Sequence, residues 1–307
     1  MSAVNAPDLS RVLVAGLGVT GRAVVEALQA RNSEVLAVDD QPTSVAAVAE
    51  ELRVELLDSS SATELERALS GVTSVVPSPG IPCHHLLYRL ADASGVEILS
   101  ELDLAALWND RPCAAVTGTN GKTTVTELTT QMLLGSGMQA AAVGNTDIPF
   151  VSAIDDEEIR HEVFVVEASS FSLDRVCRFR AKAAAWLNLA PDHLDWHENF
   201  QAYATAKSKI WETQQEGDIA VAPHDDVAVG PWTNNIASQL LTFGLGQGDV
   251  HCTDSELIAH GERIVKISDL RRSRPHDQLN ACAATALALS MGASVQSVAE
   301  VLANFDG

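Results

Sequence analysis

Thr117-Gly118-Thr119-Asn120-Gly121-Lys122-Thr123-Thr124 lies between Cys113-Ala114-Ala115-Val116, an apolar run of buried-strand length, and Val125 to Leu134, where apolar residues recur at helical spacing. A glycine-bearing turn between a strand end and a helix start reads as a phosphate loop and places the chain in the α/β class. Backbone N–H groups released by glycine and the positive helix end surround a phosphate in such a loop, which makes Gly118, Thr119, Asn120, Gly121 and Thr124 candidate ATP-binding residues, while the Lys122 ammonium reaches the outer phosphates. The Thr123 hydroxyl is expected on magnesium. Val116 stands where the strict phosphate-loop pattern has its first glycine. The reading is a site for a nucleoside triphosphate.

The 307 residues are enough for about two domains. Net charge is −21, from 20 basic and 41 acidic side chains, which disfavours nucleic acid and anionic membrane as partners. An anionic ligand must therefore be held by local cations, backbone amides or metal. No apolar run is long enough to insert in a membrane, and the first thirty residues lack a basic-then-apolar leader, so a cytoplasmic location is expected; a monomer is expected as well. The five cysteines are scattered without C-x-x-C spacing, so they are expected to pack as small apolar residues rather than to form disulfides or a zinc site.

Upstream of the phosphate loop, Arg11 to Ala15 reads as a strand, Gly16-Leu17-Gly18-Val19-Thr20-Gly21 as a tight turn, the stretch to Ala30 as a helix and Val35 to Val38 as a second strand ending at Asp39. Helices are expected over Thr63 to Leu69, Leu86 to Ala93 and Glu101 to Trp108, with a strand at Val72 to Val76 followed by the turn Pro77-Ser78-Pro79-Gly80. The polar joint Asp110-Arg111-Pro112 divides a first domain, 1–110, from a second, 111–307. In the second, strands are expected at Val163 to Val166 and Ala183 to Leu187, and helices at Phe200 to Trp211 and, as a terminal element, Gln278 to Ser290. Residues 215–270 mix short β-type runs with turn residues and yield no definite elements.

Four further groups carry chemistry. The first glycine cluster, with Asp39 about twenty residues on, fits a dinucleotide site; it equally fits another nucleotide diphosphate, or a plain β-to-α turn. Glu167 closes a strand and faces the crevice where α/β proteins bind ligands, a place suited to magnesium. Asp192-His193-Leu194-Asp195-Trp196-His197 packs two histidines and two aspartates into one loop, where one histidine with oxygen ligands would suit magnesium or manganese better than zinc, or else the loop is a hydrogen-bonded turn. Lys207 and Lys209 are two of only five lysines, so one of them is a candidate for amine chemistry that arginine cannot perform, against the plainer reading of an exposed helix lysine.

Taken together, Thr117 to Thr124, Glu167-Ala168-Ser169-Ser170-Phe171 and Asp192-His193-Leu194-Asp195 resemble, in order, the phosphate loop, acidic magnesium motif and D-H-x-D loop of the Mur ligases, which add amino acids to the peptidoglycan precursor using ATP. The resemblance covers almost the whole chain. It implies an N-terminal Rossmann-like uridine-nucleotide domain followed by a P-loop-type central ATPase domain. Gly16 to Gly21 and Ser78-Pro79-Gly80-Ile81 look most like the branch that joins D-glutamate to UDP-N-acetylmuramoyl-L-alanine. By that likeness Val19, Thr20, Asp39, Ser78, Pro79, Gly80 and Asn145 meet the UDP-linked substrate, and Asn280 meets adenine. Lys122, Glu167, His193 and Lys207 are the implied catalytic set, with Thr123, Glu167, His193 and a carbamylated Lys207 as magnesium ligands.

Two departures stand out. In His276-Asp277-Gln278-Leu279-Asn280, aspartate occupies a position where the family has asparagine. The family continues past Asn304-Phe305-Asp306-Gly307 into a third α/β domain with the D-glutamate pocket, so these 307 residues are expected to bind nucleotides with little or no ligase turnover. The competing readings are a two-domain nucleotide-binding fragment, a related ligase acting on folate or another peptidoglycan amino acid, and, far below, an NAD-dependent oxidoreductase.

Overall fold

The computed structural model describes residues 6–155 and 159–307. Its first half alternates β1 (Arg11–Ala15), α1 (Val19–Ala30), β2 (Glu34–Asp39), α2 (Pro42–Leu52), β3 (Glu55–Asp58), α3 (Ala62–Leu69), β4 (Ser74–Pro77), α4 (Leu86–Ser94) and β5 (Glu97–Ile98). The strands form one parallel sheet in the order β3-β2-β1-β4-β5. From β1 the chain runs to one side for β2 and β3 and then to the other for β4, so the crevice of this sheet opens at the carboxyl end of β1, where Gly16 to Gly21 lies.

The β4 strand starts two residues later than its sequence suggests. The Thr73 hydroxyl bonds the Asp8 and Arg11 carbonyls, and pairing with β1 begins at Ser74 opposite Val12. Neither α2 nor β3 has a clear sequence signature. Only Ala49 and Leu52 of α2 are buried, and β3 is an edge strand without a fully buried residue, so neither shows strong hydrophobic periodicity.

Helix α5 (Glu101–Trp108) joins the two halves and opens with a capping box between Ser100 and Asp103. Asp103 is fully buried and also accepts the backbone N–H groups of Cys177, Arg178 and Phe179 at 3.1, 2.7 and 3.1 Å. Glu101, also buried, accepts the Val151 N–H at 2.8 Å. Two carboxylates of one helix thus tie the first half to two segments of the second.

The second half contains β6 (Cys113–Thr117), α6 (Lys122–Gly135), β7 (Ala140–Gly144), α7 (Phe150–Ile154), β8 (Val163–Glu167), α8 (Ser170–Leu173), β9 (Ala183–Trp186), α9 (Phe200–Ser208), β10 (Ile219–Pro223), β11 (Gln239–Leu245), β12 (Val250–Cys252), β13 (Glu256–Ala259), β14 (Glu262–Lys266), α10 (Pro275–Ser290) and α11 (Val295–Asn304). The sheet order is β14-β13-β12-β11-β10-β9-β6-β8-β7, parallel except for the β12-β13-β14 meander. The unreadable stretch 215–270 is therefore five strands, and the helix expected to end the chain is followed by another. Phe164 and Trp186 of one sheet face share a core with residues of the first half, including Val14 and Leu102; Val125 and Leu287 help fill the core on the other face. Cys113, Cys252 and Cys282 are buried as expected, but Cys177 is exposed and Cys83 half-buried. Among the described residues no helix is long and apolar enough to cross a membrane.

Candidate functional site

Strand β6 lies between β8 and β9, and the turns leaving these strands converge at their carboxyl ends. The phosphate loop leaves β6, Glu167 ends β8, and Asn188 to His197 follow β9. Gly118 and Gly121 have φ of +156° and +89°, in the region glycine favours. A Cβ on Gly121 would sit 2.5 Å from the Asn280 Oδ1, so a side chain there would strain the backbone and displace the Asn280 carboxamide. α6 starts at Gly121 with no side-chain N-cap; α1, α2, α7 and α10 also lack one, but only at α6 do Lys122 and Lys207 converge on the turn before it. Its first-turn amides are left for a ligand. Thr123 is exposed there and Thr124 half-buried.

Two lysines converge on one carbonyl. Lys122 Nζ donates to Gly118 O at 3.1 Å and Thr119 O at 3.2 Å, and Lys207 Nζ to the same Gly118 O at 2.8 Å. Lys207 is 1% exposed, with its ammonium 4.7 Å from the Tyr203 ring centroid. Burial, and then the charge of Lys122, push its pKa from 10.5 down to about 7, against the pull of Asp192. Burial also lowers Lys122. Lys207 is consequently a fair source of neutral amine near pH 7. Lys209, its neighbour on the helix, turns away to the Asp174 carbonyl.

Glu167 is buried; its Oε1 accepts the Asn145 side-chain amide at 2.9 Å and its Oε2 has no hydrogen-bond partner. An orphaned carboxylate oxygen beside a loop for phosphate is the donor a hard cation requires. His193 is half-exposed at φ +51°, 3.4 Å from Asp192 through Nε2, with its ring centroid 4.8 Å from that of Phe171. His197, the second histidine of that loop, is buried and bonded to Ser170 Oγ at 2.9 Å, with its ring near parallel to that of Phe171. Its loop is held by aromatic packing, and His193 alone of the two histidines remains open. Among the described residues no three His, Cys, Asp or Glu side chains cluster to hold an ion by themselves. The set of a hydroxyl, a carboxylate oxygen, an imidazole and phosphate oxygens fits magnesium better than zinc.

A cavity of about 680 Å³ adjoins the loop, lined by Asn120, Gly121, Asn188, Phe243 and Asn280 among others. Its far wall, residues 223–226 and 243–245, was not reached from the sequence. Pro223 and Leu245 end parallel strands β10 and β11, so recognising those strands would have pointed to it. On α10, Asp277 takes Arg272 through Nε at 3.0 Å and Nη2 at 2.9 Å, so the charge that distinguishes it from asparagine is balanced locally.

At the first sheet, a Cβ on Gly21 would lie 1.8 Å from Gly16 O, which makes glycine obligatory in that turn. Asp39 accepts the Leu17 and Gln41 N–H groups at 3.0 and 2.9 Å, and the Ser78 hydroxyl donates to Gly16 O at 2.9 Å, so both brace the turn. Val19 is 69% exposed, Gly80 is exposed, and Thr20 and Pro79 are half-buried. Asn145, whose N–H also bonds Glu167 O at 2.8 Å, lies at the crevice of the second sheet rather than the first. Past the Ser78 turn, Cys83 Sγ donates to the carbonyl of Trp196, in the loop that carries His193, at 3.0 Å.

Comparison with known proteins agrees along the chain. Residues 10–100 match the Mur ligase MurD-like N-terminal domain and residues 116–288 the Mur ligase middle domain. A UDP-N-acetylmuramoylalanine–D-glutamate ligase of Thermoanaerobacter sp. (strain X514) is 31% identical over 97% of this chain and 67% of its own length. One from Frankia casuarinae is 36% identical over 96% of this chain and 64% of its own length. The chain thus spans about two thirds of such relatives. Among solved structures, the fold is shared with UDP-N-acetylmuramate:L-alanyl-gamma-D-glutamyl-meso-diaminopimelate ligase from Neisseria meningitides (TM-score 0.66, 17% identity, 98% of this chain and 99% of that one). It is shared also with MurC from Thermotoga maritima (TM-score 0.58, 20% identity, 97% of this chain and 69% of that one).

Proposed function

The chain belongs to the Mur ligase family, a family of ATP-dependent ligases of peptidoglycan precursor synthesis, and from that premise we propose that its sites serve the joining of D-glutamate to UDP-N-acetylmuramoyl-L-alanine in the cytoplasm. Residues 1–110 take the UDP-linked substrate and residues 111–307 take ATP. The observation that carries this reading is the convergence of Lys122, Lys207 and the orphaned Glu167 oxygen on an uncapped helix start.

In the first step the alanyl carboxylate attacks the γ-phosphorus and ADP leaves; in the second the D-glutamate amine attacks the acyl carbon and phosphate leaves. The chain's part is positioning and charge stabilisation. Lys122 leaves Gly118 O for the migrating phosphoryl oxygens, and the first amides of α6 hold their neighbours. Asn280 and the cavity beside it hold adenine. Thr20 and Asp39 meet the uridine, with Val19 and Ser78 to Gly80 beside it, and Asn145 reaches the substrate near its diphosphate. Magnesium, held by Thr123 and Glu167 and by His193 and Lys207, would neutralise charge on the phosphate and acyl oxygens. Lys207 serves as a metal ligand once carbamylated: its neutral amine forms an N–C bond to carbon dioxide and a proton leaves, turning a cation into a carboxylate.

Thermal melts test the reading. Mg·ADP and a uridine diphosphate should each raise the melting temperature, and NADH should not; stabilisation by NADH alone would sink it. Incubation with ¹³C-bicarbonate should give a carbamate carbon signal that disappears in Lys207→Met.

A further inference from the structure

Asn188 follows β9 and reaches across to the phosphate loop. Its side-chain Oδ1 accepts the N–H of Thr119 at 3.1 Å and of Asn120 at 2.9 Å, and its Nδ2 donates to Asn120 O at 3.0 Å. Its own backbone carbonyl accepts the Thr119 N–H at 3.2 Å and the Trp186 indole N–H at 3.1 Å. The carboxamide thus meets both polar groups of Asn120 at once. Aspartate lacks the donor, and glutamine carries its amide one methylene too far.

Two of the loop amides are therefore already spent inside the protein. The first helical bond of α6 runs from Val125 N–H to Gly121 O at 3.0 Å, so the amides of Lys122, Thr123 and Thr124 have no intrahelical acceptor. The same loop is fastened to the segment that carries His193: Thr119 Oγ1 accepts the Ala190 N–H at 3.0 Å and stands 3.1 Å from the Tyr203 hydroxyl.

We infer that Asn188 is a positioning residue that withholds the Thr119 and Asn120 amides from the nucleotide, fixes the phosphate loop in its binding shape before ligand arrives, and leaves the phosphate to the amides of Lys122 to Thr124. It presets the cradle and joins it to the His193 loop. This rests on the ATP reading of the loop only for the identity of the phosphate.

Amide hydrogen exchange of the wild-type chain, with and without Mg·ADP, is the primary test. Thr119 and Asn120 are expected to be protected in the free protein and unchanged by Mg·ADP, while Lys122 to Thr124 gain protection. Fast exchange at Thr119 and Asn120 in the free protein, or their protection only when Mg·ADP is added, overturns the inference. No response of residues 122–124 to Mg·ADP would instead strike the ATP reading, and the free-state exchange would still decide Asn188.

Two variants extend the test. Asn188→Ala should speed exchange at Thr119 and Asn120 and weaken Mg·ADP about tenfold or more, the worth of one or two net hydrogen bonds, with uridine diphosphate affinity unchanged. Asn188→Asp keeps an acceptor for both amides, so their protection stays, yet its charge beside the phosphates weakens Mg·ADP at least as much. Wild-type Mg·ADP affinity in both variants contradicts the inference.

Discussion

Replacing Lys207 by methionine should stabilise the fold while removing a group the site needs. An unfolded lysine holds its proton up to pH 10.5, whereas in the folded chain Lys207 releases it near pH 7. Between those values the unfolded state binds the extra proton, so stability rises with pH across the window 7–10.5 and is lowest below it. The difference amounts to about 4 kcal/mol of destabilisation at pH 7, at 1.36 kcal/mol per pKa unit. Methionine removes that penalty and keeps the packing, but loses the bond to Gly118 O, worth about 1 kcal/mol. Lys207→Met should therefore gain about 2–3 kcal/mol at pH 7. The assay is urea unfolding at pH 7 and pH 9 in buffer freed of carbon dioxide. Wild type should gain about 2 kcal/mol more than the variant between those two pH values. Equal pH dependence in the two proteins would refute the reasoning, since it would mean that Lys207 titrates alike folded and unfolded.

Glu101 gives the opposite slope in a separate window: burial raises its pKa from 4.5 to about 7, so the folded state holds a proton that the unfolded state has lost, and stability falls as pH rises through that interval. Glu101→Gln should flatten the fall in pH-dependent urea unfolding. Asp103→Ala leaves the Cys177, Arg178 and Phe179 amides without their carboxylate, the last of them buried, and should cost about 3 kcal/mol by chemical denaturation, with the two halves loosening together. Gly21→Ala forces a Cβ against Gly16 O and should cost about 3 kcal/mol, with uridine binding lost in the same titration. Glu167→Gln should weaken Mg·ADP about tenfold or more while sparing uridine diphosphate affinity, both measured by calorimetry.

Local pattern made part of this legible. β1, α1 and β2 follow from a buried run, a glycine turn and a second run, and the phosphate loop from glycines that need positive φ beside a helix without a cap. Glu167 could be placed because a strand end in a parallel sheet fixes where its next residue faces. The burial of Lys207 could not, since α9 has weak amphipathic contrast and the lysine is enclosed by Tyr203 and by a carbonyl 89 residues away. The D-H-x-D likeness singles out His193, but that His197 is buried on Phe171 and Ser170 shows only in the tertiary packing. β12 and the β13-β14 hairpin were hidden because none is a continuous buried run like β6 or β8, their buried residues being interrupted or preceded by more exposed ones. Asn188 shows nothing of its role until β6 and β9 are neighbours.

Calorimetric titration of the chain with a non-hydrolysable Mg·ATP analogue and with UDP-N-acetylmuramoyl-L-alanine, for wild type and Lys122→Ala, tests the central claim most directly. One molecule of each ligand should bind at the same time, and the variant should lose the nucleotide while keeping the uridine-linked substrate. Competition between the two ligands, or equal loss of both in Lys122→Ala, would contradict the account.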